Sequence, residues 1–178
     1  KMHVFEITGG KQLKGEIAVF GSKNAATPIL AATLLTPETS LIHNIPRIED
    51  VFRMLEILES MGVEVVWKDD HSVQITPGNY DVAKLDQVLV KQLRSSILLL
   101  GSLSAKQDHF NLSHPGGCVI GARPVDTHMD ALLKLGVAVS KTAQGYEIDA
   151  TKRKASTLVL RESSVTATEN VLMLASVL

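Results

Sequence analysis

Apolar residues recur with helical spacing in one segment, at Val51, Met54, Leu55, Leu58 and Met61. A second segment repeats this spacing, and its residues at the same relative places are Val125, His128, Met129, Leu132 and Leu135. Both predicted helices end before a glycine and a valine, and glycine suits the left-handed conformation that closes a helix. Two short alternating segments follow each helix and predict β-hairpins, 63–67 with 72–75 and 137–141 with 146–148.

A second type of helix is predicted three times, over residues 24–35, 93–104 and 167–178. Each of these segments begins with polar residues and then becomes apolar on nearly every side, which is the pattern of a buried helix. A small residue falls at an equivalent point of each helix and would allow close packing: Ala31, Gly101 and Ala175. A strand is predicted before each helix, at 17–20, 81–85 and 157–160.

The repeated unit is therefore a strand, a buried helix, a strand, an amphipathic helix and a hairpin. Repetition at this long period predicts an α/β architecture with pseudo-symmetric packing, and not a solenoid of short units. The third copy runs only into its buried helix, whose apolar faces need cover. We therefore expect the chain to be a piece of a longer protein.

Composition narrows the class of protein. The 178 residues carry a net charge of −1, with 45% hydrophobic and 21% charged residues, which is an ordinary globular balance. This charge favours neither nucleic acid nor an anionic membrane as a partner, and no apolar run is long enough to span a bilayer. The single cysteine has no partner for an internal disulfide, so we expect a cytoplasmic protein in a reducing compartment.

That cysteine, Cys118, lies in a glycine-rich segment between Pro115 and Asp126, and Arg123 follows five residues later. A thiol near a cation or a helix N-terminus has a lowered pKa and can serve as a proton donor or a nucleophile. The alternative is that Cys118 is a small buried hydrophobic residue, which is the usual environment of a lone cysteine. Asp126 is a candidate both for capping the helix that begins there and for contacting a ligand.

Two cations stand at the starts of predicted buried helices, where free backbone N–H groups attract anions. Lys23 lies in Gly21-Ser22-Lys23-Asn24-Ala25, and Arg94 holds the equivalent end of the second unit. A solvated lysine beside a polar helix cap, and an arginine paired with a nearby acid, would explain the same residues without a ligand. His109, His114, His128 and Cys118 do not have the compact spacing of zinc ligands, so no metal and no cofactor is predicted.

Taken together, these segments resemble the UDP-N-acetylglucosamine enolpyruvyl transferases. The resemblance is carried by residues 21–25, by Leu93-Arg94-Ser95-Ser96 and by the string from Pro115 to His128, and it runs from about Phe5 to the last residue. The family fold that it implies has two domains, each of three βαβαββ units arranged as an inside-out α/β barrel. Residues 21–178 would then form the first repeat domain, truncated in its third repeat. Residues 1–20 would hold N-terminal strands that belong with the second domain, which is absent from this chain.

The resemblance implies a transferase that moves the enolpyruvyl group of phosphoenolpyruvate to the 3′-hydroxyl of UDP-N-acetylglucosamine and releases phosphate. The reaction proceeds by addition to a tetrahedral ketal and then elimination. It is the first committed step of peptidoglycan synthesis, and so of cell-wall formation, cell shape and cell division. Members are targets of fosfomycin, which alkylates the family's cysteine. The isolated fragment, lacking the second domain, is expected to be inactive.

The resemblance also assigns roles to residues of this chain. Cys118 would be the proton donor, and Lys23 a catalytic residue that contacts phosphoenolpyruvate together with Asn24. Arg94 would touch the nucleotide sugar, and Arg123 would also approach the phosphoenolpyruvate phosphate. The remaining nucleotide-sugar positions are Arg123, Pro124, Val125, Asp126, Thr127, Glu162, Ser163, Ser164 and Val165. Some relatives carry lysine at position 162, and a carboxylate there cannot neutralise a diphosphate.

Two other functions fit part of the pattern. The 3-phosphoshikimate enolpyruvyl transferases share the fold and phosphoenolpyruvate, but they are not expected to carry the Cys118 segment. A non-catalytic module that binds a nucleotide sugar would need the cations without the thiol chemistry. A redox role for Cys118 is the third alternative.

Overall fold

The computed structural model describes residues 4–116 and 125–178. Within them the α-helices are α1 (Lys23–Ala32), α2 (Glu49–Ser60), α3 (Gln87–Gln92), α4 (Leu99–Lys106), α5 (Asp126–Lys134) and α6 (Val165–Ala175). The strands are β1 (Ser40–Ile42), β2 (Glu64–Trp67), β3 (Val73–Thr76), β4 (His109–Ser113), β5 (Ala138–Lys141) and β6 (Gly145–Asp149). Short 3₁₀ helices occupy Thr33–Leu35, Val82–Lys84 and Arg94–Leu98.

The order of elements confirms the repeat. A buried helix, a strand, an amphipathic helix and a hairpin appear as α1-β1-α2-β2-β3 and again as α4-β4-α5-β5-β6. Each set of strands forms an antiparallel sheet with the last hairpin strand in the centre, in the orders β1-β3-β2 and β4-β6-β5. Gly62 and Gly136 both have positive φ, as expected for the residue that ends each amphipathic helix.

The core lies between the sheets and the buried helices. Leu30 and Leu103, from α1 and α4, are completely buried, and so are Met54 of α2 and Leu132 of α5. α6 packs against α4, α5 and α1 and so supplies the third buried helix. The mixed α/β class and the pseudo-symmetric packing of long units are confirmed.

The prediction of a strand before each buried helix, at 17–20, 81–85 and 157–160, is wrong. Residues 17–20 and 157–160 have no regular secondary structure, and 82–84 form a 3₁₀ helix. Asp81 begins that helix, because its carboxylate accepts a hydrogen bond from the N–H of Ala83 at 3.0 Å. Ile17 and Val19 are each 90% exposed. A β-propensity becomes a strand only where a second strand completes its hydrogen bonds, and nothing in the described part of the chain pairs with these segments.

The small residues of the buried helices differ in their surroundings. Ala31 and Gly101 are buried, whereas Ala175 is exposed. A Cβ at Gly101 would lie 2.7 Å from the Cα of Asn170, so only glycine allows α4 and α6 to approach this closely. Close packing is therefore confirmed at Gly101 and is wrong for Ala175. Among the described residues, no helix combines the length and apolar character that crossing a bilayer requires.

Candidate active site

The starts of the three buried helices converge on one cleft of about 630 Å³. Its walls come from α1, from the 3₁₀ helix that leads into α4, and from α6, with one residue each from α2, α3 and α5. The lining residues are Lys23, Asn24, Thr27, Asp50, Gln92, Leu93, Arg94, Ser95, Ile97, Leu98, His128, Glu162, Ser164, Val165, Thr166 and Glu169. Unpaired N–H groups at helix starts favour negatively charged ligands, so the arrangement is suited to anions.

The start of α1 is fixed by a close approach between two loops. A Cβ at Gly21 would overlap the carbonyl oxygen of Asn44, a residue that itself has a positive φ of 56°. The carbonyl of Ser22 then accepts the first helical hydrogen bonds, from Ala25 and Ala26. Only glycine fits at position 21, and it allows the chain to turn into α1 at the cleft.

Lys23 and Asn24, which the resemblance assigns to phosphoenolpyruvate, both line the cleft. The ammonium group of Lys23 lies 2.9 Å from a carboxylate oxygen of Asp50 on α2, and both side chains are about half exposed. An anionic ligand at Lys23 would therefore compete with Asp50. Sequence reasoning missed Asp50, and neither its spacing nor its neighbours gave a signal.

Arg94 also lines the cleft, at the first position of the 3₁₀ helix. The hydroxyl of Ser96 fixes this junction by donating to the carbonyls of Val90 and Leu93, at 3.0 and 2.6 Å. The positive charge of Arg94 helps to lower the pKa of the nearby His128. Arg94 is thus held at the cleft by the bend between α3 and the 3₁₀ helix.

The third wall is the start of α6. Ser164 caps this helix, since its hydroxyl accepts a hydrogen bond from the N–H of Ala167 at 3.2 Å. Glu162 accepts a hydrogen bond of 2.8 Å from the buried hydroxyl of Thr127. Of the four positions that the resemblance assigns to the nucleotide sugar in this stretch, Glu162, Ser164 and Val165 line the cleft and Ser163 does not.

His128 lines the cleft, although the sequence analysis gave it no role at the substrate site. It stands at an apolar position of α5, and the structure places it against α6, with its ring nitrogens 3.0 Å from Asn170 and 3.1 Å from Thr166. Burial lowers the pKa of His128 to about 4, so its ring is neutral at physiological pH. A polar residue in the apolar stripe of a helix was the signal that could have identified it.

The described wall carries less positive charge than the sequence suggested. Lys23 and Arg94 face the carboxylates of Asp50, Glu162 and Glu169. Burial raises the pKa of Glu169. These three carboxylates outnumber the two cations, so in this part of the cleft only the helix starts favour anions beyond the local charges of Lys23 and Arg94.

Several predicted residues do not form part of this wall. Cys118, Arg123 and Pro124 lie outside the described residues. Val125 holds the N-cap position of α5 and Asp126 is the first helical residue, so Asp126 is not the N-cap. Neither of them, nor Thr127, lines the cleft. In the ranges 4–116 and 125–178, no three His, Cys, Asp or Glu side chains are grouped to hold a metal ion.

Gly116, the last described residue before the cysteine segment, is tightly constrained. A Cβ at Gly116 would overlap the carbonyl oxygen of Lys91, at the end of α3. This glycine therefore directs the chain from β4 past the helix that precedes Arg94.

Comparisons with known proteins agree with this architecture. A family model described as EPSP synthase (3-phosphoshikimate 1-carboxyvinyltransferase) matches residues 7–178. UDP-N-acetylglucosamine 1-carboxyvinyltransferases of Dichelobacter nodosus and Helicobacter pylori are each 41% identical over 98% of this chain. The chain spans 42% of the length of both relatives.

Solved structures show the same fold. The enolpyruvyl transferase NikO from Streptomyces tendae matches 93% of this chain with a TM-score of 0.76 at 22% identity, and the match covers 39% of that protein. EPSP synthase from Acinetobacter baumannii matches 93% of this chain with a TM-score of 0.70 at 20% identity, and again 39% of that protein is covered. The predicted fold of repeated units is therefore confirmed.

Proposed function

Since this chain belongs to the EPSP synthase (3-phosphoshikimate 1-carboxyvinyltransferase) family, we propose that the whole protein transfers an enolpyruvyl group from phosphoenolpyruvate. The acceptor is the 3′-hydroxyl of UDP-N-acetylglucosamine, and phosphate is released. Relatives that are 41% identical over 98% of the chain carry the name of this activity. The segment from Pro115 to His128 supports the same acceptor, because it matches the pattern of those transferases and not that of the 3-phosphoshikimate enzymes.

The observation that carries the proposal is the meeting of three helix starts with Lys23 and Arg94 in one cleft. Phosphoenolpyruvate and a nucleoside diphosphate are both polyanions, and N–H groups at helix starts bind such groups without added side-chain charge. In the proposed complex Lys23 and Asn24 contact phosphoenolpyruvate, and Arg94 contacts the nucleotide sugar. The phosphoenolpyruvate phosphate takes the ammonium group of Lys23 from Asp50.

In the proposed chemistry Cys118 gives its thiol proton to the methylene carbon of phosphoenolpyruvate. The sugar 3′-oxygen bonds to the central carbon and its hydroxyl proton passes to a base, which gives a tetrahedral ketal. In the second step the carbon–oxygen bond to phosphate breaks, phosphate leaves with the electron pair, and the new methyl group loses a proton to restore the double bond. Arg123 follows Cys118 by five residues in the sequence, and a thiol beside a cation has a lowered pKa, which makes it a stronger acid for this proton transfer.

The other predicted positions complete the nucleotide-sugar site in this proposal. They are Arg123, Pro124, Val125, Asp126, Thr127, Glu162, Ser163, Ser164 and Val165. Residues 21–178 form the first repeat domain and residues 1–20 belong with a second domain of the same protein, which closes the site. In this proposal the enzyme is cytoplasmic and catalyses the first committed step of peptidoglycan synthesis.

Phosphate release by the whole protein tests the proposal. Release is expected with phosphoenolpyruvate and UDP-N-acetylglucosamine, and not when 3-phosphoshikimate replaces the nucleotide sugar. Cys118→Ala should lower the rate at least about 100-fold, the usual contribution of a general acid. Residues 1–178 alone should show no turnover. Binding of the nucleotide sugar without any phosphate release from the wild-type protein would favour a binding module and contradict the proposal.

Mass spectrometry gives an independent test of Cys118. Fosfomycin should add its mass once to the wild-type protein and not to Cys118→Ala. An unchanged adduct in the variant would place the reactive group elsewhere.

A further inference from the structure

One buried amide beside the cleft joins three elements. Asn170 of α6 is 1% exposed. Its side-chain oxygen accepts a hydrogen bond of 2.7 Å from the N–H of Gly101, and its side-chain nitrogen donates to the carbonyl of Ile97 at 3.1 Å. The same nitrogen lies 3.0 Å from Nδ1 of His128, whose Nε2 lies 3.1 Å from the hydroxyl oxygen of Thr166.

The backbone partners of Asn170 determine the donor and the acceptor of every hydrogen bond in this series. A backbone N–H only donates and a carbonyl only accepts, so the orientation of the Asn170 amide is determined. Its nitrogen therefore donates to Nδ1 of His128, which must hold a lone pair. In a neutral imidazole the proton is then on Nε2, and Nε2 donates to Thr166. Burial and the charge of Arg94 keep the ring neutral by lowering the pKa of His128 to about 4.

Because Nε2 of His128 donates to Thr166, the hydroxyl hydrogen of Thr166 is available to donate to another group. A hydroxyl has one hydrogen and two lone pairs, and Thr166 uses a lone pair for His128. Among the described residues, the Thr166 hydroxyl has no other hydrogen-bond partner. Thr166 lines the cleft in the first turn of α6, where the helix start favours negatively charged atoms.

We propose that Thr166 binds substrate by donating a hydrogen bond to an anionic oxygen in the cleft, and that Asn170 and His128 are positioning residues that set the direction of this bond. The inference rests on the proposed function, because the acceptor is a phosphate or carboxylate oxygen of one of the two substrates. The series of hydrogen bonds begins at the buried amide of Asn170 and ends at the ligand, so buried residues of the domain orient the hydroxyl of Thr166.

Removing the hydroxyl tests the inference in the whole protein. Thr166→Val should raise the dissociation constant of the substrate that supplies the acceptor about tenfold or more, as expected for a hydrogen bond to a charged group. Thr166→Ser should recover most of the binding. Thr168→Val is the matched control, because Thr168 lies on the same helix but donates to the carbonyl of Ser164 and does not line the cleft.

Separate titrations with phosphoenolpyruvate, UDP-N-acetylglucosamine and inorganic phosphate identify which oxygen accepts. A loss confined to one substrate supports the inference. Equal affinities in Thr166→Val and wild type, or an equal loss in Thr168→Val, would overturn it. If wild-type protein shows no turnover but Thr166→Val still weakens phosphate binding, only the proposed function fails. Normal turnover with no effect of Thr166 would overturn this inference alone.

Two further measurements test the direction of the bonds. In protein labelled with ¹⁵N-histidine at pH 7, His128 should carry its proton on Nε2, and a proton on Nδ1 would refute the mechanism. In a double-mutant cycle, His128→Met should weaken substrate binding when Thr166 is present and not in Thr166→Val. Fully additive losses would show that His128 supports the fold without orienting Thr166, which would also overturn the inference.

Discussion

Met54 of α2 and His128 of α5 hold the same place in two copies of one repeat, yet they meet different neighbours. Met54 is completely buried among apolar side chains. His128 is also buried, but it contacts Asn170 and Thr166 of the third buried helix. The repeat therefore determines that this position points inward. The neighbouring unit determines whether hydrocarbon or a hydrogen-bonding group belongs there.

The two units also connect their helices differently. In the first unit an exposed ion pair, Lys23 with Asp50, joins α1 to α2. In the second unit, buried hydrogen bonds of Asn170 join α6 to α5, through His128, and to the start of α4, through Ile97 and Gly101. Exposed ion pairs contribute at most about 1 kcal/mol, whereas a buried polar group that loses its partner costs about 1–3 kcal/mol. The second unit should therefore be more sensitive to the loss of a polar contact.

Giving the first unit the histidine of the second should have the largest effect. Met54→His removes apolar packing and buries an imidazole among apolar side chains, so we expect a loss of about 4 kcal/mol in the free energy of unfolding. Urea denaturation of the whole protein measures it. Met54→Leu, which keeps the volume, should cost less than about 1.5 kcal/mol. A histidine variant as stable as wild type would show that the two positions are interchangeable.

The contact between α4 and α6 should be the next most sensitive. Gly101→Ala places a Cβ 2.7 Å from the Cα of Asn170, and backbone atoms cannot move aside easily. We expect a loss of about 2–3 kcal/mol, seen as a lower melting temperature. Ala31→Gly in the first unit is the reverse change and should cost about 1 kcal/mol through helix propensity. A stabilised Gly101→Ala would contradict the close approach.

Giving the second unit the methionine of the first should have a smaller effect. His128→Met removes one bond to Asn170 and one to Thr166, but Asn170 still donates to the carbonyl of Ile97. We expect a loss of about 1–2 kcal/mol at pH 7, measured by urea denaturation. A loss as large as that of Met54→His would mean that the hydrogen bonds contribute far more than usual.

The free energy of unfolding should depend on pH through His128. The pKa of His128 is lowered from 6.5 to about 4 in the folded protein, so the unfolded chain takes up a proton first as the pH falls. The stability that the neutral ring provides is complete above about pH 6.5 and is lost as the pH falls toward about 4, by about 1 kcal/mol per pH unit. His128→Met should therefore lose less stability than wild type between pH 7 and pH 5. Parallel curves for the two proteins would contradict this.

Breaking the exposed ion pair should have the smallest effect. Asp50→Asn should change the free energy of unfolding by less than about 1 kcal/mol, because both Asp50 and Lys23 are well exposed to solvent. Added salt should reduce the difference further, which thermal melts at two ionic strengths can measure. A loss above about 2 kcal/mol would place this pair on the same footing as the buried bonds of the second unit.

Much of the fold could be predicted because local periodicity and packing agree. The stripe from Val51 to Met61 and the glycine after each amphipathic helix determine helices and hairpins in both units. Whether residues 17–20 form a strand could not be predicted from local periodicity, because a strand needs a hydrogen-bonding partner that no local pattern reveals. The positions of Lys23, Asn24 and Arg94 at the cleft were predictable, since each stands at the start of a buried helix. The sequence gives no sign that Asp50 would be brought to Lys23.

The sequence by itself determined the repeat, the class of fold and the cations at the helix starts, since these follow from the order and spacing of residues within a short stretch. Only the tertiary structure decided that three helix starts share one cleft and that Asn170 contacts His128. The same contacts are the basis for the proposed proton position on Nε2 of His128. The physical reason is that hydrogen-bond direction depends on partners from distant segments, such as the N–H of Gly101 and the carbonyl of Ile97.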